Sequence, residues 1–237
     1  MHLLVHGVTA ATIPDAVVAA SGGDVELIVH EDLAAVVRPA PDGEVLPSRA
    51  NLLAHTSVLE ALAAETTVLP MRFGMVVEGE QQLVDGFLAP QQAQLVAALE
   101  QLRGHVELRL RGRYDEDEVL REVVAADPAL GRLRGRRSMD AKMALGERVV
   151  AGIEARRETD LDRVVEALGP HVSGIVAGSV AEPLDAFSLS LLVPQATMDD
   201  FDAAVDELGQ AVAPALALEL VGPVPPFSFT APQEVPA

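Results

Sequence analysis

Cysteine is absent from all 237 residues, so the chain can form neither disulfides nor thiolate metal sites, and a reducing cytoplasm suits it. No run of about 18 uninterrupted apolar residues occurs. The most apolar stretches, Val172 to Ala181 and Ala211 to Leu218, are short and carry Gly, Ser or Pro, which argues against a membrane span. The opening residues Met1 to Gly7 lack a basic n-region and a small-residue cleavage site; their alternation suits a first strand rather than a secretory signal. Basic side chains are scarce as well, 17 against 36 acidic ones, for a formal net charge of -19. Such a surface repels phosphate backbones and anionic lipids, so neither nucleic acid nor a membrane is the expected partner.

The basic residues are unevenly spread. Residues 101 to 163 hold 14 of the 17 beside 13 acidic residues, and the chain from residue 164 onward holds none. Within that mixed-charge middle, Arg132, Arg134, Arg136 and Arg137 form a cluster with two readings: a solvated loop paired with nearby Asp and Glu, or a docking site for an acidic partner.

A hydrophobic content of 49% and a mean hydropathy of +0.26 supply enough apolar surface for packed cores, and the length accommodates two domains. Periodicity predicts a strand over Leu3 to Val8, a short helix over Ile13 to Ala20, and a hairpin of Val25 to Val29 and Leu33 to Val37 closed by His30-Glu31-Asp32. Ser48 opens a helix with apolar positions Leu52, Leu53, Leu59, Leu62 and Ala63, and an extended segment runs from Thr67 to Val77. Gln81 to Leu102 reads as a helical segment interrupted at Pro90, joining the two halves.

The second half repeats the pattern. A strand at His105 to Leu110 leads into a charged excursion from Arg111 to Arg137, then a long helix from Met139 to Leu168 capped by Ser138 and stopped by Gly169-Pro170. Its expected apolar stripe is Met139, Met143, Val150, Ile153, Leu161, Val164 and Leu168. Strands at Val172 to Val180 and Phe187 to Val193, a helix from Thr197 to Ala213 with a capping box at Thr197 and Asp200, and a strand at Leu216 to Val221 complete it.

The order βαββαβ thus occurs twice, giving an α+β fold of two ferredoxin-like units. The expected domains are 1–103, with its linking helix, and 104–221, followed by a Pro-rich tail, 222–237, running as an extended strap that cannot continue a sheet.

Sites for chemistry are hard to find. His30-Glu31 begins a zinc-binding HExxH, but Ala34 stands where its second histidine belongs. His2 and His6 lie four apart on the first strand with His30 ending a strand beside it, yet no carboxylate shares their face. Nucleophile-elbow and phosphate-loop patterns are missing, and Gly131 to Gly135 lacks the Lys-Ser/Thr pair that holds phosphate and magnesium. Asp199, Asp200, Asp202 and Asp206 sit where a helix dipole favours acids. No catalytic, cofactor-binding or metal-binding residue is assigned, and no cofactor is expected.

Two apolar motifs remain. In Val68-Leu69-Pro70-Met71-Arg72-Phe73-Gly74 a proline interrupts a strand-like segment, which marks an edge or a bulge. In Gly222-Pro223-Val224-Pro225-Pro226-Phe227-Ser228-Phe229 prolines stiffen a segment ending in two phenylalanines, which would dock with little loss of entropy. That segment is either a strap over the second domain or a partner contact.

With these residues the chain resembles the GvpF/GvpL family of gas vesicle proteins. Val68 to Gly74 matches the family's Leu-Pro-x-Arg-Phe-Gly signature, and Gly222 to Phe229 is similar to its terminal Gly-Pro-x-Pro-Pro-aromatic-Ser-Phe motif. Leu145-Gly146-Glu147 and Glu154 to Glu158 resemble its long second-half helix. Val224 stands where the family often has Trp, Phe227 where it has Tyr, and Met75 where Thr is common, so hydrogen bonds by those groups in relatives do not carry over.

The resemblance implies an accessory or minor structural protein, non-enzymatic, located in the cytoplasm and at the gas vesicle, which takes part in assembly by binding the hydrophobic shell protein and other accessory proteins. The partner-binding residues it suggests are Leu69, Pro70, Arg72, Phe73, Gly74, Pro225, Pro226, Phe227 and Phe229. A ligand-sensing module that binds a small molecule between ferredoxin-like domains is the competing reading.

Overall fold

Strand β1 (Leu3–Ala10) is buried at every position from Leu3 to Thr9, which a strand of period two achieves only when both faces of its sheet are covered. In this computed structural model, which describes residues 1–12, 25–40, 45–133 and 138–230, β1 lies centrally in an antiparallel sheet. On one side it pairs with β3 (Leu33–Pro39), which carries β2 (Glu26–His30) at its far edge. On the other it pairs with β4 (Val68–Pro70) and then with β5 (Val76–Val77). The hairpin between β2 and β3 turns at Glu31, which has a positive φ of 50°. The helix expected over Ile13 to Ala20 lies outside the described residues.

Helix α1 (Arg49–Ala63) starts as its sequence suggests: the Ser48 hydroxyl accepts from the Asn51 N–H at 3.2 Å. Its buried face is His55, Val58, Leu59 and Leu62, whereas Leu52 and Leu53 are 41% and 57% exposed. Residues 49–54 are exposed throughout, so the first turns stand clear of the sheet and the expected stripe is cut short at its start.

The segment expected to join the halves instead packs on this sheet. Helix α2 (Glu80–Leu83) passes through a widened π turn (Val84–Leu88) into α3 (Ala89–Leu102), which contacts β1, β3 and β4. Pro90 does not break the helix: the Ala89 N–H reaches back five residues to the Val84 carbonyl, and this wider turn precedes the proline. Phe87, Leu88, Leu95, Leu99 and Leu102 are the buried anchors.

A second sheet contains β6 (His105–Tyr114), β7 (Gly174–Ala177), β8 (Asp185–Pro194) and β9 (Leu216–Val224) in the order β7-β8-β6-β9. In both sheets the earliest strand lies between the third and the fourth. The supposed charged excursion is mostly regular structure, because β6 runs to Tyr114 and Asp115 caps α4 (Glu116–Ala126) by accepting from the Glu118 N–H at 3.0 Å. Helix α5 (Pro128–Leu133) follows. The arginine cluster falls outside description: residues 134–137 are not described, nor is the Arg132 side chain.

Helix α6 (Met139–Leu168) has the expected bounds, with Ser138 Oγ accepting from the Ala141 N–H at 3.3 Å. Its apolar stripe is only half used. Val164 and Leu168 are buried, but Met139, Met143 and Val150 are exposed. Helix α7 (Met198–Val212) lacks the expected capping box, since the Thr197 side chain makes no cap bond and points to the Pro194 carbonyl instead.

Backbone contacts divide the chain into two compact units, Met1–Glu107 with Pro223–Ala237, and Leu108–Gly222. Residues 223–230 thus group with the first unit. Strand β9 also continues through Pro223 to Val224, which a sheet tolerates because β9 is an edge strand with no ladder partner required on its outer side.

Candidate functional site

The signature residues 68–74 occupy the border of the first sheet. Leu69 pairs with Val8 and Pro70 with Gly7, and the Met71 N–H then donates to the His6 carbonyl at 2.9 Å. The chain leaves the sheet at Arg72 and returns at Met75, whose carbonyl accepts from the Val5 N–H at 2.9 Å. Residues 72–74 are thus an excursion between two strands that share one side of β1. Gly74 adopts φ +90°, a conformation that L side chains resist, which gives this glycine a backbone reason. Gly7 has a steric one, because a Cβ there would lie 2.9 Å from the Leu69 carbonyl oxygen and from Val68.

Beneath the excursion lies a stack of rings. The rings of His6 and His55 lie 4.8 Å apart at 28°, and Phe73 meets His55 edge-on at 5.6 Å. His55 Nε2 is 3.0 Å from the Met71 carbonyl oxygen. A carbonyl only accepts, so Nε2 carries the proton and Nδ1 is a bare acceptor, buried without a hydrogen-bond partner among the described residues. Burial holds the His55 pKa below its usual value; the Met71 bond opposes this, and the charge of Arg38 adds to it. His55 was invisible as a site residue in the sequence, where it reads as one polar position on an apolar helix.

The second motif reaches the same core. Val25, Val36, Val58, Leu59, Leu62 and Val68 form a buried cluster, and Phe227 packs against it together with Leu27 and Ala63. Pro225 and Pro226 are buried, and a tight turn over Phe227–Phe229 directs Ser228 at Glu107. Glu107 Oε1 accepts from the Ser228 hydroxyl at 2.8 Å and Oε2 from the Ser228 N–H at 2.9 Å. A fully buried carboxylate thus anchors the terminal motif.

Of the nine residues suggested for partner binding, Leu69, Pro70, Pro225 and Pro226 are enclosed; Phe73, Phe227 and Phe229 are partly accessible; Arg72 and Gly74 are exposed. The two motifs meet at one core, Val68 of the first lying in the cluster against which Phe227 of the second packs.

The second unit has its own buried polar network. Asp160 is fully buried on α6 and accepts from the Tyr114 hydroxyl at 3.0 Å and from Arg156 Nε at 2.7 Å. Arg156 also pairs with Glu122. Burial, then the Asp160 charge and the bond to it, push the Tyr114 phenol well above its usual pKa. Asp185 is bound by both Nη2 contacts of Arg111, at 2.8 and 2.7 Å, which hold its carboxyl below the usual range. Among the described residues no group of three or more His, Asp or Glu side chains is arranged to hold a metal, and no helix is long and apolar enough to cross a membrane.

The family model described as "Gas vesicle synthesis protein GvpL/GvpF" matches residues 3–231. The chain belongs to this family. Gas vesicle protein F of Streptomyces sp. (strain CB03234) is 34% identical over 211 residues, covering 86% of this chain and 87% of the relative. Gas vesicle protein F of Dolichospermum flosaquae is 23% identical, covering 96% of each. The crystal structure of GvpF from Anabaena sp. PCC7120 superposes with a TM-score of 0.86 at 22% identity, over 98% of this chain and 99% of that one. GvpF from Microcystis aeruginosa gives 0.79 at 21%, over 96% and 98%. The α+β fold of this GvpL/GvpF member is therefore the fold of solved GvpF chains.

Proposed function

We propose that this GvpL/GvpF member is a non-catalytic accessory or minor structural protein that takes part in gas vesicle assembly by binding the hydrophobic shell protein. The carrying observation is the family match across residues 3–231. Physical chemistry makes the role coherent: apolar shell subunits in water aggregate unless a soluble partner holds them before they join the wall. A chain with net charge -19 stays dispersed while it does so. Both units are read as ferredoxin-like, a reading supported by the shared strand order of the two sheets. The protein acts in the cytoplasm and at the vesicle, alongside other accessory proteins.

The docking surface proposed for the shell protein is the exposed excursion Arg72 to Gly74 with the accessible edges of Phe73 and Phe229. Co-expression with the shell protein and affinity recovery tests it, comparing the unaltered chain with Arg72→Glu and Phe229→Ser. Loss of shell protein from the variants, with folding intact by circular dichroism, is the expected result. Equal recovery removes this surface from the proposal, and normal vesicles in cells lacking the gene would remove the assembly role itself.

A further inference from the structure

Helix α6 is 30 residues long, yet no residue between Ala141 and Asp160 is fully buried. Met139, Met143, Gly146, Val150 and Ile153 recur along this stretch at steps of four, three, four and three. That is the spacing of a helix-pairing seam. Met139, Met143 and Val150 are 72%, 59% and 56% exposed, so the described residues of the second unit leave these three positions uncovered. Arg157 and Asp160 continue the spacing but turn inward, Arg157 donating to the Asp185 carbonyl and Asp160 lying fully buried. Ile153 is half-buried beside Val119 and Leu120 of α4, so the open seam ends at Val150.

Two glycines on this helix have different explanations. A Cβ on Gly152 would lie 2.5 Å from Val123, so the approach of α4 requires that glycine. A Cβ on Gly146 would meet none of the described residues within 4 Å. A glycine inside a helix weakens it relative to alanine, and among the described residues no packing accounts for Gly146. A second helix crossing closely at that point does.

Charge selects the occupant. Asp140, Glu147 and Glu154 flank one side of the seam; Lys142, the chain's only lysine, flanks the other, before Val149 and Arg156 turn towards α4, where Arg156 pairs with Glu122. If two copies lie parallel, Lys142 of each sits beside Glu147 of the other, and symmetry makes the contact twice. If they lie antiparallel, acid faces acid along the border of Asp140, Glu147 and Glu154, and Lys142 loses its acidic neighbour. Over the whole molecule net charge opposes self-association, but residues 101–163, with 14 basic and 13 acidic side chains, are where that repulsion is least.

We propose that the first half of α6 is a self-association face on which two copies of this chain pair in parallel, with Gly146 at the point of closest approach. The seam spans about two heptads, fewer than a free-standing coiled coil needs, so the contact is weak in dilute solution and strengthens where copies are concentrated.

The cysteine-free chain gives a clean test with the purified full-length protein alone, which separates this inference from shell binding. In a parallel pair each seam position meets its own counterpart. Met143→Cys and Val150→Cys, oxidised at physiological salt, are each expected to yield several-fold more disulfide-linked dimer than Leu53→Cys, an equally exposed position on α1. Adding Lys142→Glu should cut that yield, and adding Glu147→Lys to it should restore it. Gly146→Ala should raise thermal stability while lowering the yield. Yields no greater than Leu53→Cys overturn the proposal, as does preferential cross-linking of Met143→Cys to Val150→Cys in mixtures, which reports antiparallel pairing.

Discussion

Both oxygens of the Glu107 carboxylate are taken by Ser228, one by its hydroxyl and one by its backbone N–H, across 121 residues of sequence. Hydrogen bonds to a charged acceptor in a buried site contribute more than neutral ones. Ser228→Ala removes the hydroxyl bond and keeps the backbone one, so it should lower stability by about 2 kcal/mol in urea denaturation. Limited proteolysis should then cleave C-terminal to Gly222 earlier than in the unaltered chain, because that carboxylate is what the terminal turn holds.

Phe227 gives the same segment its apolar anchor. It packs against the buried cluster that includes Val68, so the terminal motif and the signature strand share one core. Its ring is only partly buried, which places Phe227→Ala near the low end of aromatic truncations, about 2 to 3 kcal/mol. Phe229→Ala, which has no part in that cluster, should cost less. Equal losses from the two, by thermal or urea unfolding, would mean that the core contact is not what fastens the strap.

These contacts show which parts of the molecule the sequence discloses. Helix α6 was legible to the residue because both its signals are local: Ser138 caps it and Gly169-Pro170 stops it. The Leu-Pro-x-Arg-Phe-Gly and terminal motifs identified the family for the same reason. Periodicity names a helix face but not how far its neighbour extends, so Leu52, Leu53, Met139 and Met143 read as core and are exposed. Proline chemistry predicted a stiff terminal segment but not the unit it joins, which depends on Glu107 far away in sequence. His55 gave no signal, since a lone polar residue on an apolar face becomes meaningful only when the His6 and Phe73 rings are placed against it.

His55 makes a pH prediction. Its pKa is depressed in the folded protein by burial and by Arg38, while in the unfolded chain it returns to about 6.5. Below that value the unfolded state takes up a proton that the folded state resists, so this group's contribution is present above pH 6.5 and is lost as pH falls towards the folded value. Stability measured by urea denaturation should therefore drop between pH 7 and pH 5. His55→Gln, which offers an amide N–H to the Met71 carbonyl without a titrating ring, should flatten that part of the profile. An unchanged slope in the variant would assign the dependence to other groups.

Tyr114 provides the opposite sign in the second unit, and it is the chain's only tyrosine, with no tryptophan to obscure its absorbance. Burial and the Asp160 carboxylate raise its pKa, so the folded state keeps a proton that the unfolded state releases above about pH 10. Stability should fall as pH rises past that point, and tyrosinate absorbance should appear only together with unfolding. Tyr114→Phe removes one hydrogen bond and should cost about 1 kcal/mol at neutral pH while abolishing this alkaline contribution. Asp160→Ala should cost more, about 3 kcal/mol, because it strands both the phenol and Arg156 Nε, although Glu122 and partial exposure leave Arg156 with other partners. If tyrosinate instead titrates smoothly near pH 10 in protein that stays folded, the Tyr114–Asp160 bond is open to solvent and the buried network does not hold α6 to β6.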